Sequence, residues 1–140
     1  MQISENVKIV HCLGAYAAGT TSETGAEINM QGYDGVVFIA DIGALTATQQ
    51  TALEAQGSNT SGDEAAFNTP AVTPFMADAD SNKVLVLDIF RPVTQFIKPT
   101  VIRGTADAVI NCVIAILYNV DHAPITPDAT VSQMAQFVSP

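Results

Sequence analysis

One continuous apolar run, Asp107 to Val120 (DAVINCVIAILYNV), constrains the fold of this chain more than any other stretch. With 14 residues it is too short for a membrane-spanning helix, which needs roughly 20. Its many β-branched residues favour a strand over a helix. Because successive side chains of a strand point to opposite faces, the run predicts a strand with one dry face and one half-dry face.

The two faces of this predicted strand differ in composition. The even-numbered positions are all able to lie in a core: Ala108, Ile110, Cys112, Ile114, Ile116, Tyr118 and Val120. The odd-numbered positions place Val109, Val113 and Leu117 between Asn111 and Asn119. We expect the even face to pack inside the subunit. The odd face is too apolar for free solvent, so either a second sheet or a sister subunit should cover it.

Shorter apolar segments predict about eight strands in all and no long helix. They are Val7 to Leu13, Ala26 to Met30, Val36 to Ile42, a segment from about Gln50, Thr69 to Ala77, Val84 to Phe90 and Val93 to Ile102. Loops are expected at Gly14 to Gly25 and Gly57 to Asn68, which are rich in small and turn-forming residues. Such a pattern is typical of an all-β fold, and we predict a jelly-roll-like antiparallel β-sandwich.

Two of these segments leave alternatives open. Good helix formers fill the stretch between Gly43 and Gly57, but its alternation and the β-rich context favour a surface strand. Pro99 interrupts the segment from Val93 to Ile102, and a proline lacks the N–H that a strand ladder needs. We therefore expect Pro99 to mark an edge or a bulge.

The residues after Val120 differ from the rest, and we divide the chain into a sandwich domain, 1–120, and an extended C-terminal arm, 121–140. This arm holds three prolines and only scattered apolar residues, which are Ile125, Val131, Met134, Phe137 and Val138. It is either a frayed tail or an inter-subunit arm that inserts Met134, Phe137 and Val138 into a neighbour.

The balance of charge argues against some partners. The chain has 14 acidic and five basic residues, a net charge of −9, and binding to nucleic acid needs a basic stripe instead. Four of the five basic residues fall in one short window: Lys83, Arg91, Lys98 and Arg103. They are either ordinary turn and strand-edge charges or a local basic face directed at an acidic partner.

The cysteines and the N-terminal residues indicate a compartment. Cys12 and Cys112 lie in apolar, strand-like runs, where a free cysteine behaves as a small hydrophobic residue. The first ten residues, MQISENVKIV, lack the basic and long apolar regions of a signal peptide. We expect folding in a reducing cytoplasm, with both thiols reduced and no membrane partner.

No pattern of catalytic or metal-binding residues is found. The two histidines, His11 and His122, are far apart in sequence. The acidic turn from Asp78 to Asn82 resembles the start of a calcium loop, but Lys83 and Ile89 occupy the positions where that loop needs glycine and glutamate. We expect no catalytic residue, no metal and no cofactor, and we predict that the chain is not an enzyme.

Two longer stretches carry a resemblance to a known class of proteins. GYDGVVFIADIG (Gly32 to Gly43) and NKVLVLDIFRPVTQFIKPTVIRGTADAVINCVIAILYNV (Asn82 to Val120) resemble small capsid decoration proteins of tailed bacteriophages, also called cement or head auxiliary proteins. The most specific parts are VLDIFRP and VIRGTADAVI…AILY. The resemblance covers roughly Gly14 to Val120 and leaves out the arm.

The resemblance implies a structural function. Members of this class are β-rich, bind the assembled capsid from outside, commonly as homotrimers, and bridge neighbouring capsomers. It implies a virion protein, made in the host bacterial cytoplasm and located on the capsid exterior, with the major capsid protein and further copies of itself as partners. Lys83, Arg91, Lys98 and Arg103 would then be candidate capsid contacts.

Two alternatives stay open. One is another virion component, from the neck, the tail or the base of a head fibre, which copy number per particle would separate from decoration. The other is a carbohydrate-binding β-sandwich module.

Overall fold

The computed structural model describes residues 2–63 and 65–139, and over 65–70 it describes the backbone alone. The chain is all-β, with two antiparallel sheets, which confirms the predicted fold class. The strands of the described residues are β1 Lys8–Leu13, β2 Tyr16–Gly19, β3 Glu23–Thr24, β4 Ile28–Asn29, β5 Tyr33–Leu45, β6 Ala52–Ser58, β7 Ala65–Val72, β8 Val84–Phe90, β9 Phe96–Ile102 and β10 Ala108–Val120. Two single-turn 3₁₀ helices, Ile3–Glu5 and Asp78–Asp80, complete the regular structure.

The order of the strands is that of a jelly roll. In the first sheet, sheet A, the order is β1-β10-β5-β8, and β2 continues along β10 beyond β1. In the second sheet, sheet B, the order is β3-β9-β6-β7, and β4 continues along β9 beyond β3. If β1 with β2 and β3 with β4 are each taken as one interrupted strand, eight strands remain, in the orders 1-8-3-6 and 2-7-4-5. Two interleaved Greek keys produce this arrangement.

The hydrophobic core lies between the two sheets. β5 contributes Val36, Phe38, Ala40 and Ile42, all 0% exposed, from alternate positions of one strand face. Sheet B meets them with Leu53, Ile97 and Val101, which are also 0% exposed. The predicted strands at Val36 to Ile42 and Val84 to Phe90 are confirmed, and the segment after Gln50 is the strand β6 rather than a helix.

The predicted faces of β10 are correct only for its first few residues, before Asn111. Ile110 pairs with Ile42 of β5 but Cys112 pairs with Asp41, so two residues of β10 oppose one of β5. Such a β-bulge exchanges the two faces of the strand beyond it. Ala108 and Ile110 are buried before the bulge, and Val113, Ala115 and Leu117 are buried after it. The second sheet, within the same subunit, therefore covers the odd positions Val113 and Leu117.

The even positions of β10 beyond the bulge lie on the outside of sheet A. Ile114, Ile116 and Tyr118 are half-buried there, so the expectation that they fill the core is wrong. The predicted loops are also shorter than expected, because Gly14 to Gly25 contains β2 and β3, and β7 begins at Ala65.

Pro99 lies in β9, inside sheet B, rather than at an edge. Its carbonyl accepts a hydrogen bond from the N–H of Gly25 at 2.8 Å. The N–H and C=O positions of a strand residue point to the same side. The position of the missing N–H therefore faces the gap between β3 and β4, where no hydrogen-bond donor is needed. Pro99 fits into β9 because the neighbouring strand is interrupted at this point.

Arg103 connects the two sheets from a buried position, with an exposed fraction of 6%. Its guanidinium donates to three backbone carbonyls, those of Thr21 at 2.7 Å, Ala17 at 2.8 Å and Ala108 at 2.7 Å. It also forms an ion pair with Glu23 at 3.3 Å. Because the side chain is enclosed by these partners, it cannot reach another protein. Arg103 is therefore removed from the candidate capsid contacts.

The role of Arg103 predicts a large effect on stability. Arg103→Met should lower the free energy of unfolding by about 3–5 kcal/mol, because it leaves a half-buried carboxylate and three carbonyls without their donor. In urea denaturation the midpoint should fall while the slope stays unchanged. Arg91→Met, which removes an exposed arginine, is the matched control. Equal midpoints for the two variants would show that Arg103 does not stabilise the fold.

Candidate interaction surface

The outer faces of the two sheets differ in polarity. In sheet B, β6 and β9 direct Glu54, Gln56, Lys98 and Thr100 outward, as cross-strand pairs. Thr100 is buried against Thr24, and the other three polar side chains suit a face in water. The outer face of sheet A is mostly apolar across four strands, although Asp41, Asp88 and His11 also lie on it. We call this surface the apolar face, and its residues are Ile9, Val37, Ile39, Val84, Val86, Phe90, Ile114, Ile116 and Tyr118.

Cross-strand pairing makes the apolar face continuous. Ile114 of β10 pairs with Ile39 of β5, which pairs with Val86 of β8. In the adjacent row, Ile116 pairs with Ile9 on one side and with Val37 on the other. Exposure rises toward β8, where Val84, Val86 and Phe90 are 54%, 53% and 55% exposed.

A small aromatic cluster closes one end of the apolar face. Tyr118 packs across Gly35 and donates a hydrogen bond to Asp88 Oδ1 at 2.6 Å. A Cβ at Gly35 would collide with the Tyr118 ring, so the close approach requires glycine there. The rings of Tyr118 and Phe90 are nearly parallel, with centroids 6.4 Å apart. The Arg91 guanidinium lies 5.1 Å from the Phe90 centroid, at the distance of a cation–π contact.

The predicted basic residues do not form one face. Lys83 and Arg91 flank β8, and eight residue steps of about 3.3 Å place them roughly 26 Å apart. Lys83 also pairs with Asp80 at 2.8 Å. Lys98 lies on the outer face of sheet B, opposite Gln56. Only Lys83 and Arg91 therefore border the apolar face.

The first part of the C-terminal arm lies against its own subunit. Thr130 Oγ1 accepts a hydrogen bond from the N–H of His11 at 3.0 Å, and Asp128 forms an ion pair with Lys8 at 3.5 Å. This segment follows the outer edge of β1. Ile125 and Val131, expected to contact a neighbouring subunit, are half-buried here and line a cleft of about 160 Å³ together with Ile9 and Met134.

The last part of the arm is exposed. Met134 is 43% exposed, and Phe137 and Val138 reach 82% and 79%. These values are unusual for large apolar side chains. The exposure leaves Phe137 and Val138 accessible to another molecule.

The described residues do not bring metal-binding side chains together at one place. Within 2–63 and 65–139, no three side chains of His, Cys, Asp or Glu come together as metal ligands would. Both cysteines are free, and burial raises the pKa of the Cys12 thiol to about 12. Over the same residues no helix has the length and hydrophobicity to cross a bilayer.

The apolar face does not follow from the sequence alone. The sequence indicates that both faces of the strand at Asp107 to Val120 are largely apolar. It does not join Val86, Ile39 and Ile114 into one row, because that row depends on strand order and on the β10 bulge.

Comparisons with known proteins gave weak structural similarities, including the following two. No family model and no curated protein matches the sequence. The crystal structure of the SPBc2 prophage-derived protein YomS is 13% identical, with a TM-score of 0.45, over 79% of this chain and 93% of that one. A protein from the structure of Bacillus endospore appendages, described as a novel family of disulfide-linked pili, is 11% identical, with a TM-score of 0.44, over 82% and 89%. At TM-scores below 0.5, neither similarity bears on function.

The aromatic cluster predicts how Tyr118 responds to pH. Burial and the neighbouring Asp88 carboxylate raise the pKa of Tyr118 to about 12. We expect NMR of ¹³Cζ-labelled tyrosine to find Tyr118 protonated at pH 11, where a free tyrosine, of pKa about 10, is ionised. Asp88→Asn should lower this pKa part of the way, because burial remains. An ordinary pKa for Tyr118 in the folded protein would contradict the cluster.

The same shift has a consequence for stability. The unfolded chain loses the Tyr118 proton near pH 10, whereas the folded chain keeps it until about pH 12. The contribution of Tyr118 to stability is therefore complete below pH 10 and is lost as the pH rises toward 12. Tyr118→Phe should reduce the fall in stability between pH 10 and pH 12.

Proposed function

We propose that this chain is a structural virion protein, not an enzyme, which binds the outer surface of a tailed-phage capsid as an oligomer and bridges neighbouring capsomers. The observation that carries the proposal is the apolar face of sheet A. An antiparallel sheet that faces water usually alternates apolar and polar residues, whereas most outward residues of sheet A are apolar, with Asp41, Asp88 and His11 as polar exceptions. Contiguous exposed apolar surface marks a site of interaction.

The energies favour a multivalent mode of binding. Full burial of a valine or phenylalanine contributes about 1.5–3 kcal/mol, so Val84, Val86 and Phe90 together supply several kcal/mol. Association costs at least about 4 kcal/mol in lost freedom, which leaves a single copy weakly held. An oligomer that contacts several capsomers at once gains affinity through effective concentration. This is the mechanism that we propose for capsid stabilisation.

The sequence resemblance supports a capsid as the partner, and the charges suggest an orientation. Lys83 and Arg91 border the apolar face at both ends of β8, where the polar rim of an interface would lie. Acidic patches on the major capsid protein would complement them. Lys98, on the opposite side of the sandwich, could not reach the same flat partner.

The copy number on virions tests this function. We expect quantitative mass spectrometry of tailed-phage particles from the source of the sequence to find hundreds of copies per particle. Six or twelve copies would instead indicate a neck or tail component. Absence from the particles would refute a virion role altogether.

Single charge reversals test the orientation. Lys83→Glu and Arg91→Glu should each lower capsid occupancy about threefold or more, because an exposed ion pair contributes about 0.2–1 kcal/mol in every bound copy and the reversed charge repels. Lys98→Glu, with the same change in net charge, is the matched control and should bind normally. Occupancy can be measured by co-sedimentation with purified capsids. An equal loss for all three variants would exclude this orientation.

A further inference from the structure

We propose that residues Ser132–Ser139 of one copy add as a strand to the free edge of β8 in a second copy and so join the copies head to tail. We call these eight residues the arm strand. The inference deepens the proposed function, because it names the contact between copies within the decoration oligomer. The contact itself needs no capsid.

The first observation is the direction of the hydrogen-bonding groups of β8. The carbonyl of Lys83 accepts from Ile42 at 3.1 Å, and the N–H of Arg91 donates to Asp34 at 2.7 Å, so odd-numbered residues bond to β5. In an antiparallel pair the bonded and non-bonded residues alternate. The even-numbered residues of β8 therefore direct their N–H and C=O groups to the open edge, and these are Val84, Val86, Asp88 and Phe90.

The second observation is that this edge lacks the usual protection. β8 ends the order of sheet A, and no strand is paired beyond it among the described residues. Natural edge strands are blocked by charged side chains, most often lysine, or by proline, a bulge or a covering segment. From Val84 to Phe90 there is no proline, no lysine and no bulge, and Asp88 is the one charge. Such an edge is a template for an added strand.

The third observation is that the arm strand suits this edge. Its eight residues match the seven of β8, and each of them is exposed in the single subunit. Within the described part of the chain, it makes one hydrogen bond, from Gln136 Nε2 to Ser4 Oγ at 3.0 Å. Strand addition would pair its backbone and place Phe137 and Val138 against other apolar residues.

Charge favours a second copy as the occupant. Each copy carries a net charge of −9, so two copies repel at most surfaces. No charged residue occurs from Ala129 onward. The edge that would receive the arm strand has a single acid, Asp88, flanked by Lys83 and Arg91. The proposed contact therefore joins two acidic proteins without bringing their acidic groups together.

The distances argue against pairing within one copy. The arm leaves from the β1 side of sheet A, and β8 lies at the opposite edge, three strand spacings or about 14 Å away. Eight extended residues span about 26 Å, so roughly half of them would be spent crossing the sheet. In a neighbour whose β8 edge adjoins this β1, all eight remain available.

The two ends of the contact lie at opposite edges of one sheet, so the interface is heterologous. A repeated head-to-tail contact closes into a ring when its rotation permits. This geometry allows a trimer, which an isologous β8–β8 pairing would not.

Complementation between two variants tests the proposal. Truncation after Val131 removes the arm strand but keeps the Thr130 contact with β1. Val86→Pro blocks the edge, because the Val86 N–H faces away from β5 and a proline there costs no bond to β5. Val86→Thr, which keeps the N–H, is the matched control. Light scattering coupled to size exclusion should find the wild type and Val86→Thr oligomeric and each of the two blocking variants monomeric.

The decisive sample is an equimolar mixture of the truncated chain and Val86→Pro. The first variant retains an open edge and the second an arm strand, so the mixture should form a 1:1 heterodimer and nothing larger. A monomeric wild type, a truncated chain that still oligomerises, or a mixture that stays monomeric would each overturn the proposal. Circular dichroism checks that both variants are folded. Because no capsid is present, the result is independent of the virion copy number.

Discussion

The pairing of β5 with β10 is the constraint on which the rest of the structure depends. Each strand has 13 residues, and together they form the centre of sheet A. Their inner faces supply much of the core, while their outer faces hold Val37, Ile39, Ile114 and Ile116. A central pair that is apolar on both sides needs a cover on both sides. Sheet B supplies the inner cover, and we propose that another molecule covers the outer side.

Two residues that are unusual for their positions, Pro99 and Arg103, lie where they cost little stability. Pro99 lies in an inner strand, yet its missing donor faces the break between β3 and β4. Arg103 donates to three backbone carbonyls and pairs with Glu23, so its charge is compensated although it is buried. Both residues have structural roles that their types alone would not indicate, since proline is typical of edges and arginine of surfaces.

The outer faces of the two sheets differ in polarity, and this difference supports the proposed assembly. The outer side of sheet B is polar and that of sheet A is apolar, so one side of the sandwich suits water and the other suits a partner. β8 adds an open backbone edge to the apolar side, and the C-terminal residues add exposed Phe137 and Val138. The parts of the proposed contact between copies are thus present in one chain, on opposite edges of sheet A.

The sequence by itself determined the all-β class, the jelly-roll-like sandwich and most of the longer strands. Alternation, turn residues and composition are local signals, and these features depend on local signals. Only the tertiary structure decided which face of β10 is buried, because a single bulge at Asn111 exchanges the faces, and the apolar residues on either side of it do not show where it lies. It also decided that Arg103 is enclosed, whereas Lys83 and Arg91 border the apolar face. Those placements depend on which strands pair with each other, and a local sequence pattern carries no information about that pairing.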